Sequence, residues 1–268
     1  MAVSLRVGTN GDDMIIGNPG DNLVAFGLNG NDTITGAELA DTLFGNNGDD
    51  TLNGNAGNDV IDGGNGNDNI NTGAGDDLIL AGNGNDTVGG MAGHDTVFGG
   101  NGDDSVVWND PTGDLVFGEG GNDFLRGGDV AADTIFGGDG DDTIIGIANQ
   151  NLLTANAPDF LFGEDGNDSI IGSNGADFID GGTGDDVLTG LAGADQFAFL
   201  AGNSGNDTIT DFDLSQDIAL LGGFPAGFNP LDHLTQAANG TVLDLGKGSV
   251  LFLNTLVGDF GAEDFRVS

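Results

Sequence analysis

The chain has no cysteine and no tyrosine, one tryptophan, two histidines and five prolines in 268 residues. Without cysteine there is neither a disulfide framework nor a thiolate metal site. Lys and Arg together number 4 against 44 Asp and Glu, a net charge of 4 − 44 = −40. Phosphate is held by basic surfaces, so nucleic acid is excluded as a partner. No apolar run reaches the ~20 residues of a membrane-spanning helix. The opening MAVSLRVGTN lacks the apolar stretch of a secretory signal, so an exported chain of this kind would leave by another route. HExxH is absent and His94 and His233 lie far apart, which argues against a zinc protease. GNSGN around Ser204 is not the GxSxG of a nucleophile elbow. Acidic pairs occur everywhere and carry no glycosidase signal.

Glycine, by contrast, is abundant, with 53 residues. From Gly45 to Val107 the chain divides every nine residues into GNNGDDTLN, GNAGNDVID, GGNGNDNIN, TGAGDDLIL, AGNGNDTVG, GMAGHDTVF and GGNGDDSVV. Place four is always Gly, place six always Asp and place eight always aliphatic, from Leu52 to Val106. A short fixed period is the mark of a solenoid. Six residues rich in Gly, Asn and Asp make a turn. Three residues around an aliphatic centre make a short strand whose central side chain faces inward and whose neighbours face out. One buried aliphatic per nine residues makes no core alone, but stacked coils do. Two units, 18 residues, make one coil.

The register begins at GTNGDDMII with Asp13 and Ile15, and GNPGDNLVA follows with Asn22 in the Asp place and Phe26 as an extra residue. GLNGNDTIT carries Asp32, and GAELADTLF carries Asp41 with Leu39 where Gly is usual. After Val107 the repeat slips by one residue before Asp114 and again before Asp133, with regular units at Asp123 and Asp142. Residues 146–158 read as a surface insertion loop, because solenoids keep insertions outside the stack. The pattern resumes at Asp159 and continues through Asp168, Asp177, Asp186 and Asp195. Residues 240–253 alternate on both sides of Gly-Lys-Gly and predict a hairpin, and 229–238 predict a short helix. Asn29, Asn47, Asn65, Asn83 and Asn101 align at place three as a ladder along one edge.

On one sheet, place nine presents Ala25, Phe44, Asp62, Leu80, Phe98, Phe117, Phe136 and Phe162 outward; place seven adds Leu23, Val60, Leu78, Leu115, Phe160 and Phe178. The other sheet presents mainly Thr, Asn and Ser. An apolar stripe of that extent marks an interface, with Phe44, Leu80, Phe98, Phe117, Phe136 and Phe162 as its candidates. The alternatives are rings that stack on one another along the ladder, or a face covered by the insertion loop.

The motif GGxGxDxUx, with U a large aliphatic, resembles the calcium-binding repeat of the repeats-in-toxin (RTX) family over roughly residues 8–210. The resemblance implies an all-β parallel β-roll, a two-sheet β-solenoid with a C-terminal β-rich cap, and multiple Ca²⁺ ions between successive turns. It divides the chain into a roll over 1–198 and a capping and secretion-signal region over 199–268. The metal candidates are Asp13, Asp32, Asp41, Asp50, Asp59, Asp68, Asp77, Asp86, Asp95, Asp104, Asp114, Asp123, Asp133, Asp142, Asp159, Asp168, Asp177, Asp186, Asp195 and Asp207. Units two apart share an edge, so Asp50, Asp68, Asp86 and Asp104 form one ladder and Asp41, Asp59, Asp77 and Asp95 the other. A single such Asp is most simply a turn cap; so many in register point to calcium, a hard cation that takes six to eight oxygens. Two carboxylates ~5 Å apart repel by roughly 3 kcal/mol at an effective dielectric of 20, so metal binding and folding are expected to be one event.

GADQFAFLAGNSGNDTITDFDLSQDIALL resembles the sequence closing the roll in serralysin-like proteins. The ending AEDFRVS resembles an uncleaved type I secretion signal, or is a closing strand whose Phe265 covers the last coil. The expectation is a secreted or cell-surface calcium-binding protein, not an enzyme, with structural or adhesive use. Its partners are calcium ions, the type I secretion machinery and, on the Phe face, a second copy or a cell-surface partner. A self-assembling matrix, surface-layer or fibre subunit and a non-catalytic module of a secreted enzyme system are the alternatives. With the roll beginning at residue 8, no catalytic domain is expected ahead of it.

Overall fold

A computed structural model describes residues 2–90, 92–108, 111–128, 130–147, 157–202 and 204–268. The chain winds as a parallel β-solenoid in which successive strands alternate between two sheets, one 13-stranded and one 14-stranded among the described residues. In the regular region the step between paired strands is one coil: Thr51, Leu52 and Asn53 pair with Asn69, Ile70 and Asn71. The one-residue slips before Asp114 and Asp133 are absorbed in turns, since Thr96 pairs with Leu115 and Leu115 with Thr134. The long insertion is absorbed likewise: Thr134 pairs with Phe160, and Thr143 with Ser169. Most of the expected insertion loop, 148–156, lies outside the described residues.

Alternation sends place eight inward. Ile34, Leu52, Ile70, Val88, Val106, Leu125 and Ile144 from one sheet meet Leu43, Ile61, Ile79, Val97, Val116 and Ile135 from the other, none more than 1 % exposed. Each such side chain contributes about 1.5–3 kcal/mol on burial. Stacking this tightly demands glycine in the turns. At Gly66, φ is +126°, and a Cβ there would lie 2.5 Å from the carbonyl carbon of Gly48 in the coil before.

The register differs from expectation near the N-terminus. The Asp place of the second unit is held by Leu23, not Asn22, because Leu23 N–H donates to Asp41 Oδ1 at 2.6 Å. Leu23 and Ala25, expected outward at places seven and nine, are fully buried. Phe26, expected as an extra residue, pairs with Phe44 instead. The surplus residue sits in the turn, which lets two apolar side chains enter the core and a ring stack on Phe44. Ala2–Val7 also adds a strand ahead of the expected start, pairing with the chain from Asp21.

Strands of the first sheet are longer than expected. Val60–Asn65 and Leu78–Asn83 run six residues, against three in Asn69–Asn71 and Thr87–Gly89. They extend through the glycines to the Asn ladder, where Asn65 donates to Asn47 Oδ1 and Asn83 to Asn65 Oδ1, both at 3.0 Å.

Gln196–Leu200 spans position 198/199, and parallel pairing continues beyond it through Ile218–Gly222 to Phe265–Val267. The predicted hairpin forms between Gly240–Asp244 and Ser249–Leu253. The predicted helix over 229–238 is one 3₁₀ turn, Pro230–His233, followed by Leu234–Gln236 as an antiparallel strand. Pairing of that short strand with the hairpin outweighs its local helical preference. Phe197, Phe212, Phe252, Phe260 and Phe265 close the C-terminal end, with ring centroids 4.9 Å apart for Phe212–Phe252 and 5.0 Å for Phe252–Phe260.

Candidate metal centre

Each coil brings its place-six aspartates to the two turn edges, and the candidate residues fall into two files. Along the edge that precedes the second sheet, Asp13 N–H donates to Asp32 Oδ1 at 2.7 Å, Asp32 to Asp50 at 2.6 Å and Asp50 to Asp68 at 2.7 Å. The file continues through Asp86, Asp104, Asp123, Asp142, Asp168 and Asp186 to Asp207. Along the opposite edge the same bond links Asp41, Asp59, Asp77, Asp95, Asp114, Asp133, Asp159, Asp177 and Asp195. Each Oδ1 therefore holds the backbone of the preceding coil. All these candidates except Asp13 are at most 4 % exposed.

Asp195 N–H donates to Asp217 Oδ1 at 2.9 Å, so Asp217 is a further rung that the periodic reading missed. Its turn breaks the spacing, and the only local signal is Asp-x-apolar in Asp217-Ile218-Ala219.

The second carboxylate oxygen has a different environment. Oδ2 of Asp32, Asp50, Asp59, Asp68, Asp86, Asp104, Asp123, Asp142, Asp168 and Asp186 is buried with no hydrogen-bond partner. An unmatched buried acceptor costs about 1–3 kcal/mol. These oxygens converge with carbonyls of the next coil beside the place-one glycine. A methyl on Gly99 would lie 2.7 Å from both Asp104 Oδ2 and Gly118 O. At Gly8 the corresponding distances are 2.8 Å to Asp13 Oδ2 and 2.6 Å to Gly27 O. Gly27, Gly45, Gly118, Gly137 and Gly163 carry the same convergence. No three His, Asp or Glu side chains gather at one point among the described residues. The donors are one carboxylate oxygen with backbone carbonyls, the hard all-oxygen set that calcium takes. The residues present fit calcium.

Burial dominates the electrostatics. It pushes Asp68, Asp104, Asp142 and Asp168 up to about 7, and Asp50, Asp86, Asp123 and Asp186 up to about 6, despite the N–H donated by the preceding Asp. Neighbouring rungs add to the rise, as Asp86 and Asp50 do for Asp68. Metal-free carboxylates here hold protons near neutrality, and a divalent cation would replace them.

The remaining candidates lie on the outer face of the first sheet. Phe98, Phe117, Phe136 and Phe162 stack with centroids 4.9, 5.0 and 4.7 Å apart. Phe44 stacks on Phe26 at 4.7 Å. Leu80, beside Asp62, is 41 % exposed.

Among the described residues no helix is long and apolar enough to cross a membrane. No curated protein matches the chain. Among solved structures, it is similar to the extracellular lipase LipA from Serratia marcescens at 20% identity, covering 92% of this chain and 45% of that one, with a TM-score of 0.42. It is also similar to the AlgE6R3 subunit from the Azotobacter vinelandii mannuronan C5-epimerase, at 24% identity, covering 51% of this chain and 78% of that one, with a TM-score of 0.27. The chain thus spans less than half the length of the lipase it matches. The model of the RTX calcium-binding nonapeptide repeat matches in overlapping segments from residues 7–43 through 62–97 and 162–197 to 199–212. That repeat is non-catalytic in type, and its matches run over the same turns that carry both aspartate files. With the motif in sequence, the solenoid in space and the family match over most of its length, the chain belongs to the RTX calcium-binding nonapeptide-repeat family.

Proposed function

We propose that this protein is a secreted calcium-binding β-roll that folds when it meets extracellular Ca²⁺ and serves a structural or adhesive role without catalysis of its own. The observation that carries the reading is the run of buried, unmatched Oδ2 atoms facing backbone carbonyls beside the place-one glycines. Calcium between successive turns would satisfy those oxygens and neutralise part of a net charge of −40. The aspartates would hold the ions, and the glycine carbonyls would complete the oxygen shell. Low cytosolic calcium would leave the chain unfolded for type I export, and the 199–268 region would cap the roll and carry the export signal.

The test is a calcium titration of the full chain followed by circular dichroism, size-exclusion chromatography and light scattering. A chain that compacts and gains strand signal with calcium supports the reading. Unchanged strand content after excess EGTA near neutral pH sinks it.

A second reading, a self-assembling matrix or surface-layer subunit, draws on the first sheet's outer face, where Leu78, Leu80 and Phe160 are 38, 41 and 45 % exposed beside the Phe stack. Calcium-triggered polymers in electron micrographs would favour it, and a calcium-loaded monomer in light scattering would remove it.

A further inference from the structure

The two edges of the roll are built differently. From Asp32 through Asp186, every rung preceding the second sheet has a buried Oδ2 without a partner. A second file runs beside it at place five: Asp49 N–H donates to Asn31 Oδ1 at 3.0 Å, and the pattern repeats up to Asn206 donating to Asp185 Oδ1 at 2.7 Å. This edge repeats the same turn coil after coil.

The opposite edge is interrupted. Ala37 N–H donates to Asp41 Oδ2 at 2.5 Å, Gly128 N–H to Asp133 Oδ2 at 2.9 Å, Ser173 N–H to Asp177 Oδ2 at 2.6 Å and Asp213 N–H to Asp217 Oδ2 at 2.7 Å. With Oδ1 already holding the preceding coil, both oxygens of these four carboxylates accept a backbone N–H. Their turns read GAELAD, GGDVAAD, GSNGAD and FDLSQD, and in each an N–H reaches the carboxylate. At these rungs an N–H already supplies part of what a cation would offer the carboxylate.

Trp108 adds a second kind of block. It stands where most other units have Gly, is fully buried, and its ring closes the space at Gly90 where a Cβ at other place-one glycines would meet a carboxylate oxygen and a carbonyl.

We propose that calcium occupies one edge of the roll as an unbroken file between Asp32 and Asp186, while the other edge carries metal-free rungs at Asp41, Asp133, Asp177 and Asp217 and an indole plug at Trp108. This rests on the calcium reading above and narrows it. One edge of the roll depends on metal throughout; the other is part-supported by its own hydrogen bonds. The cation required is divalent and oxygen-seeking.

The experiment counts calcium bound per full-length chain, by metal analysis after equilibrium dialysis, for the wild type, Asp68→Asn and Asp177→Asn. Asp68→Asn is expected to lose about one ion and to raise the calcium midpoint of folding by roughly tenfold, the scale of disturbing a metal's ligand set. Asp177→Asn is expected to keep the wild-type count. Equal loss of ions in both variants overturns the proposal while leaving calcium binding intact, whereas a wild type that takes up no calcium removes the underlying reading as well. Anomalous difference maps of wild-type crystals grown with terbium in place of calcium answer the same question without relying on a variant's folding. Peaks beside Asp50, Asp68 and Asp104, and none within bonding distance of Asp177 or Asp217, are expected. A peak on Asp177 Oδ2 overturns it.

Discussion

Chelating calcium near neutral pH should unfold the roll, and acid alone should restore part of it. The perturbation is excess EGTA at a pH of about 7.5, followed by acidification to about 5. Ten buried Oδ2 atoms without partners, at about 1–3 kcal/mol each, amount to about 10–30 kcal/mol against folding when ionised. That exceeds the net stability of about 5–15 kcal/mol that an ordinary domain possesses. Acid reverses the sign. Burial raises these carboxyls in the folded chain, so between pH ~4 and the raised value the folded chain binds protons that the unfolded chain has released, and stability rises as pH falls. Asp68, Asp104, Asp142 and Asp168, raised to about 7, dominate. Four such groups over two pH units, at about 1.4 kcal/mol per unit, give on the order of 10 kcal/mol. Below pH ~4 both states are protonated and nothing more is gained. Far-UV circular dichroism with size-exclusion chromatography reads the outcome. Strand signal and compactness in EGTA at a pH of about 7.5 equal to those in calcium would refute the reasoning. So would a chain that stays expanded in EGTA at a pH of about 5.

Ile70→Ala should lower the stability of the calcium-loaded roll by about 2–5 kcal/mol, read by urea denaturation in constant calcium, because Ile70 is 1 % exposed between two coils. Gly66→Ala should cost more than the few tenths of a kcal/mol of an ordinary surface change and lower the thermal midpoint, since its φ is +126° and a Cβ would meet the Gly48 backbone. Phe212→Ala should cost about 3–5 kcal/mol by opening the aromatic cluster at the C-terminal end, seen as faster exchange of amides in Ser249–Leu253. Phe117→Ala removes two ring stacks, each worth about 0.5–1.5 kcal/mol beyond area burial. If the face is an interface, light scattering should also show reduced self-association in calcium.

The solenoid was legible because its period is short and its three marker positions are chemically unlike one another. Place-eight aliphatics such as Leu52 and Ile70 face inward as alternation requires, and the aspartates join into two files as units two apart should. Reading failed where two registers satisfied the same markers. Asn22 mimics Asp and Val24 mimics the core aliphatic, so the unit at 17–25 reads well one residue out of place. Only packing decides it: with Leu23 and Ala25 inside, Phe26 stacks on Phe44. The six-residue strands were hidden by their glycines. Gly64 at φ +105° reads as turn, yet it pairs in the sheet with Asn46 on one side and Gly82 on the other.

The division among the aspartates lies deeper than any pattern of residue types. Asp68 and Asp177 occupy the same place, bond the preceding coil through the same oxygen, and are both at most 2 % exposed. They differ in whether a backbone N–H of their own turn reaches Oδ2, as Ser173 does for Asp177. That depends on the path of the four residues before the aspartate and not on glycine content, since GNAGND leaves Asp59 Oδ2 unmatched with the same two glycines that GSNGAD has. A turn that offers its own donor loses the reason to take a cation; a turn that withholds it leaves a buried acceptor that only a proton or a metal can match. Metal dependence in this fold is thus decided one backbone N–H at a time, with the carboxylate necessary and the missing donor decisive.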